Sequence, residues 1–92
     1  MTAKNVIAAA IKDRVGGSSY SAWRIGLTHD PIYRKMYWRD DEKQDVSCWT
    51  QWTCDSKADA EAIETYFINQ KMMKGGTGGN LTLGKTVYVY IF

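Results

Sequence analysis

Apolar residues recur at four-residue steps in the first segment, as Ile7, Ile11 and Val15, the spacing that lines one face of an α-helix. Thr2 is placed to cap that helix and Gly16-Gly17 to stop it. From Tyr20 to Thr28 the period falls to two, with Trp23, Ile25 and Leu27 on one side and Ala22, Arg24, Gly26 and Thr28 on the other; this predicts a strand. Asp30-Pro31 reads as an N-cap followed by the first helical residue, opening a second helix that carries Ile32, Arg34, Lys35 and Met36 towards Trp38. The polar run 40–45 is a surface loop, and Val46 to Cys54, rich in tryptophan and threonine, is a second strand. Ser56 with Asp59 suggests a capping box for a long helix reaching about Lys74 and closed by Gly75-Gly76. Val87 to Phe92 is the last strand, with Val87, Val89 and Ile91 on one face and Tyr88 and Tyr90 on the other. The predicted order is α-β-α-β-α-β in a single α+β domain spanning residues 1–92.

Composition narrows the class. A chain of 92 residues has room for one core and one site. Four tryptophans and six tyrosines supply large contact surfaces and exclude a disordered chain. No stretch approaches the roughly 20 apolar residues of a membrane span. Cys48 and Cys54, six apart with no hydrophobic leader before them, predict a reduced, cytoplasmic protein in which both thiols are small core residues. Net charge is only +2, but residues 1–39 hold seven basic and two acidic side chains, and residues 40–64 hold two basic and eight acidic ones. Such alternation is either a set of solvated faces or a basic face able to meet nucleic acid beside an acidic one.

The chemistry-bearing residues fall in a fixed order. Ile25-Gly26-Leu27-Thr28 is followed, eight residues after its glycine, by Arg34 on a helix, and then by Glu64-Thr65-Tyr66-Phe67-Ile68 on another. The segment from Trp23 to Arg34 resembles the second half of the GIY-YIG nuclease motif, in which a strand ending in a glycine turns into a helix that presents an arginine. The resemblance continues at Glu64, where the family has its metal-binding glutamate, and at Asn80 in the Gly-rich stretch beyond; it covers about two thirds of the chain. Arg24 stands where the second motif tyrosine belongs, and Trp38 where many members have a histidine. The first family strand, with the GIY tyrosine, is absent from its usual place ahead of Trp23.

The resemblance implies a small three-stranded, mainly antiparallel sheet packed with helices. The spare strand with tyrosines is the last one, so the missing strand is expected to have moved: Val87 to Phe92 should lie antiparallel to Tyr20 to Thr28. Tyr88 and Tyr90 would then share a face with Arg24 and Gly26, if the apolar sides of both strands meet one core. The alternative is that both tyrosines are amphipathic surface residues.

For activity, the resemblance implies phosphodiester hydrolysis with one divalent ion, Mg2+ or Mn2+, held by Glu64. Such chemistry needs a base for the attacking water and a cation for charge growing on the phosphorus oxygens. Tyr90 or Tyr88 is the candidate base, Arg34 the candidate phosphate clamp, and Arg24, Gly26, Lys35 and Asn80 the candidate substrate-binding positions. Arg24 either contacts phosphate in place of a tyrosine or pairs with an acid and closes the site. The alternative function is a binding module without catalysis, as suits a small phage or bacterial accessory protein. Its partner would be nucleic acid, or a protein met by Tyr33, Tyr37 and Trp38. No membrane partner is expected.

Two letter-perfect motifs carry nothing. Residues 79–86 satisfy GxxxxGK[ST], but a phosphate loop works only between a strand and a helix whose N-terminal amides face the phosphate. Here a strand follows instead. Asn80-Leu81-Thr82 is a glycosylation sequon, which acts only on a secretory route. His29 alone cannot build a metal cluster and is most simply a loop residue beside the helix cap. Lys85→Ala is therefore expected to leave any activity and any response to ATP unchanged, as measured by nucleotide-binding calorimetry on both proteins.

Overall fold

Alternation of Val87, Val89 and Ile91 with Tyr88 and Tyr90 gives the last strand one apolar and one aromatic face, and the computed structural model puts that strand in the middle of the sheet. The structure describes residues 2–75, 81 and 84–92. Along the chain run α1 (Lys4–Val15), a 3-10 turn (Tyr20–Ala22), β1 (Ile25–Thr28), α2 (Pro31–Met36), a π-helical turn (Tyr37–Asp41), β2 (Thr50–Cys54), α3 (Lys57–Asn69) and β3 (Val87–Ile91). The sheet order is β1-β3-β2. Both outer strands are antiparallel to β3, with Gly26 and Gln51 each opposite Tyr90, and Thr28 and Thr53 each opposite Tyr88. The architecture is α+β in the expected order.

One face of the sheet makes the core. Ile25, Leu27, Cys54, Val87, Val89 and Ile91 pack with Ile7, Ile11 and Val15 of α1 and with Ala60, Ile63 and Phe67 of α3. Phe67 is fully buried, as are Ile7, Ile11, Val89 and Ile91. Met73, just beyond α3, is the buried methionine. Cys54 joins the core, whereas Cys48 is exposed, so only one of the two thiols behaves as the sequence predicts.

Several boundaries move, each for a hydrogen-bonding reason. Thr2 does not cap α1; Ala3 is the N-cap, without a side-chain bond, and the Thr2 N–H donates to the Thr53 carbonyl at 2.8 Å, pairing with the outer edge of β2. At the other end Gly16 takes φ 58°, a conformation that costs a side-chain-bearing residue energy. The first predicted strand shortens because β1 pairs with β3 only as far as the two Arg24–Phe92 backbone bonds; ahead of them the Trp23 N–H closes the 3-10 turn on Tyr20. Asp45 accepts from the Ser47 N–H and Trp49 donates to the Val46 carbonyl, so residues 46–49 turn and β2 begins only at Thr50.

The third helix ends five residues before Lys74. Met72 takes a positive φ of 64°, and the Met73 N–H reaches back to the Phe67 carbonyl at 3.0 Å. Lys74 is thereby freed to run along β1, accepting from Ile25 and donating to Trp23, both at 2.9 Å. Both edges of this small sheet are thus partly covered, which removes open strand edges as templates for aggregation. Asp30 accepts from the Tyr33 N–H at 3.0 Å and caps α2, with Pro31 at its first position; Ser56 likewise caps α3 by accepting from Asp59. Exposed Lys85 follows Gly84, which has φ 86°, and leads into β3 rather than into a helix. Among the described residues no helix is long and apolar enough to cross a membrane.

Removing the Phe67 ring would leave a cavity against α1 and all three strands. Phe67→Ala is expected to cost about 3 to 5 kcal/mol, enough to unfold much of a marginal domain. Urea denaturation followed by tryptophan fluorescence measures it.

Candidate functional site

Because β-strand side chains alternate, the face opposite α1 and α3 carries Arg24, Gly26 and Thr28 from β1 and its N-terminal extension, Tyr88, Tyr90 and Phe92 from β3, and Gln51 and Thr53 from β2. Tyr90 lies at its centre and is only 4 % exposed. Gly26, its cross-strand partner, has no side chain for a reason of space: a Cβ there would overlap the Tyr90 ring and hydroxyl. Glycine at position 26 is what lets the phenol lie flat across β1.

Aromatic rings then enclose Tyr90. Trp49 stacks on it with centroids 4.4 Å apart and planes 9° apart, and also stacks on Phe92 at 5.4 Å. Trp38 donates its indole N–H to the Tyr90 hydroxyl at 2.9 Å and tilts against Phe92 at 5.5 Å. The π-helical turn after α2 sets Trp38 in that position, and the Gln44 N–H bonded to the Trp38 carbonyl at 2.9 Å ties down the loop that follows.

Charge is arranged around the same hydroxyl. The Arg24 guanidinium lies 4.6 Å from the Trp38 ring, and that of Arg34 lies 5.2 Å from the Tyr37 ring. Each contact is a cation held on an aromatic face. Neither arginine has an ion pair among the described residues, where Arg39–Asp40 is the one salt bridge. Of the two readings of Arg24, then, pairing with an acid is not what the described residues present. Arg34 has a further feature: among the described residues its buried Nε has no hydrogen-bond partner. A buried donor left unpaired costs about 1 to 3 kcal/mol, and such groups in native proteins commonly await a ligand or water.

Glu64 comes from the other layer. It lies one turn before Ile68, whose side chain abuts Gly75 beside Ile25, and so it runs along the β1 border of the sheet, half-buried. Burial, and then the neighbouring Glu61, push its carboxyl above the usual range. Burial also raises the Tyr90 phenol, with the Glu64 charge adding to the rise and the Trp38 hydrogen bond, Arg34 and Arg24 opposing it. The charges of Arg34, Glu64 and Arg24 are thus all felt at the Tyr90 phenol, although they come from α2, α3 and the approach to β1. The phenol is held protonated at neutral pH, with its oxygen accepting from Trp38.

Other expected positions fall elsewhere. Tyr88 is half-buried two residues along β3, beside Thr28 and Thr53. Lys35 is exposed on α2, and Asn80 lies outside the described residues. Tyr33 is exposed, while Tyr37 and Trp38 turn towards the arginines and Tyr90. His29 approaches the Thr86 carbonyl through Nδ1 at 2.8 Å. Sequence reading missed Trp49 and Phe92. Continuing the period of two back from Gln51 and on from Tyr90 would have placed both on the Tyr90 face.

A divalent ion can be weighed against this donor set. Among the described residues no three His, Cys, Asp or Glu side chains gather as a cage. A single half-buried carboxylate without a cationic partner among the described residues is a donor set that Mg2+, which keeps several waters and takes few protein ligands, could use.

The raised Glu64 pKa also has a stability consequence. Its folded-state pKa exceeds the ordinary 4.5, so the folded protein holds the proton more tightly, and stability is lost as pH rises through the folded value. Glu64→Gln is expected to melt at a higher temperature than the parent at neutral pH, with the difference vanishing below about pH 4.5. Thermal unfolding across that range checks it.

Comparison with protein-family models, with curated proteins and with solved structures finds no match to this chain, so what these residues do is read from their own chemistry.

Proposed function

We propose that this domain is a GIY-YIG-like, metal-dependent nuclease that hydrolyses phosphodiester bonds of nucleic acid. The observation that carries the reading is that the charges of Arg34, Arg24 and Glu64 are all felt at the Tyr90 hydroxyl, with Arg24 held on Trp38, the ring that bonds that hydroxyl. Phosphoryl chemistry uses a cation, a carboxylate and a proton-handling group together.

Arg34 is the phosphate clamp. Its guanidinium lies on the Tyr37 ring, and such a group grips two phosphate oxygens together. Arg24, packed on Trp38, adds a second positive charge that favours the dianionic character of the reacting phosphate. Tyr90 orients an oxygen through its O–H at neutral pH. The same residue serves as a base only when ionised, a state its burial opposes and the two arginines favour. Glu64 is the residue that would hold the ion, and its raised pKa reflects a charge seeking compensation. When bound, the ion supplies Lewis-acid stabilisation of the phosphorus oxygens and activation of water.

A second reading, nucleic-acid binding without cleavage, is favoured by one specific feature. Tyr90 is deeply buried and its oxygen is already engaged by Trp38, which suits a structural tyrosine as well as a catalytic one.

Glu64→Gln is expected to abolish Mg2+- or Mn2+-dependent cleavage while leaving the fold intact, and Arg34→Ala to lower it about a hundredfold or more, the scale of losing one preorganised donor. Cleavage that relies on ionised Tyr90 should rise with pH into the alkaline range. Gel assays on single- and double-stranded DNA and RNA with each ion measure these effects. Absence of any cleavage would sink the enzyme reading, and salt-sensitive binding by that inactive protein would establish the binding module.

A further inference from the structure

Beside the Tyr90 site lies a cleft of about 260 Å³ that the catalytic reading does not use. It opens where the approach to β1, the end of β3 and the strap after α3 meet the 44–48 loop. Arg24 and Lys74 give it two cations against the single acid Asp45, and Trp23 and Phe92 give it aromatic wall. Asp45 is held by the Ser47 N–H at 2.9 Å, and Gln44 is anchored through its N–H to the Trp38 carbonyl. Two lining residues belong to both places: Arg24 also acts on Tyr90, and Phe92 also stacks with Trp49.

We propose that this cleft is a nucleotide subsite, taking an unpaired base and its phosphate from the nucleic-acid strand whose neighbouring phosphate lies at the Tyr90 site. The proposal rests on the nucleic-acid reading above and names its substrate class as single-stranded or locally unpaired. Aromatic wall beside cations is the combination used for unpaired nucleic acid, where bases stack and phosphates are neutralised. A base inside a duplex is stacked and paired and would have to be extruded to enter a concave pocket. The amide of Gln44 and the carboxylate of Asp45 present acceptors and donors suited to base edges. Arg24 forms the link, placed between the phosphate of the held nucleotide and the neighbouring one.

The cleft carries its own reporter. Cys48 lines it and is exposed, whereas Cys54 is buried in the core, so a maleimide reagent should label Cys48 alone in the folded protein. With Glu64→Gln protein and no divalent ion, binding is measured apart from cleavage. A short single-stranded oligothymidylate is expected to protect Cys48 from labelling and to bind about tenfold more tightly than a duplex of equal length, the scale of one stacked base. Lys74 is exposed and bonds to β1 only through its backbone, so Lys74→Gln should keep the fold, weaken single-strand binding and lower the salt slope by about one. Equal affinity for single strand and duplex, or labelling of Cys48 unaffected by saturating oligonucleotide, would overturn the proposal. Parent protein that cleaves yet shows no protection defeats the subsite alone. Protection without any cleavage by the parent defeats the nuclease reading and leaves the subsite standing. No nucleic-acid binding of any kind defeats both.

Discussion

The pairing of β3 between β1 and β2 is the interaction on which the rest depends. It brings the end of the described chain back against residues sixty or more positions earlier, with Gly26 opposite Tyr90 and Thr28 opposite Tyr88. A slip of one residue in that register would turn Val87, Val89 and Ile91 out of the core and Tyr88 and Tyr90 into it. Burial of three β-branched side chains against Phe67 and Ile63, each contributing roughly 1.5 to 3 kcal/mol, holds the register in place. The same alternation that buries them delivers the tyrosines to the opposite face. Core and candidate site are two sides of one strand.

The opposite face is then shaped by space and by charge. An absent Cβ at Gly26 lets Tyr90 lie over β1, and Trp49, Phe92 and Trp38 close around it. Among the described residues two guanidinium groups pack on aromatic rings rather than pairing with carboxylates, which leaves their positive charge uncommitted. On the proposed nuclease reading, a phosphodiester and its ion would bring the anion and cation that would relieve the Arg34 Nε, unpaired among the described residues, and the raised Glu64 carboxyl. That joint relief is the physical basis for proposing a nuclease over a purely structural cluster.

Much of the fold was legible because it is local. Four-residue spacing of Ile7, Ile11 and Val15, the Asp30-Pro31 and Ser56–Asp59 caps, and alternation in β3 rest on backbone periodicities that act within a few residues. Where the reading failed, a long-range partner had overruled local preference. Thr2 serves the β2 edge instead of capping α1, the 46–49 segment turns on Asp45, and α3 stops early because Lys74 pairs with β1. Cys48 was assigned to the core by strand alternation, and it is exposed because that part of the predicted strand is a turn.

By itself the sequence determined which residues are the candidates for chemistry: Arg34, Glu64, Arg24 and the tyrosines are fixed by type and by order along the chain. It also determined the helical and strand periods that decide which of their neighbours are buried. Only the tertiary structure decided that Tyr90 rather than Tyr88 meets Gly26, that Trp49 and Phe92 enclose it, and that Lys74 joins Arg24 at a cleft. The reason is distance along the chain. Local propensity acts within a turn or two of helix, whereas those contacts join segments tens of residues apart and exist only once the shared core has set the register.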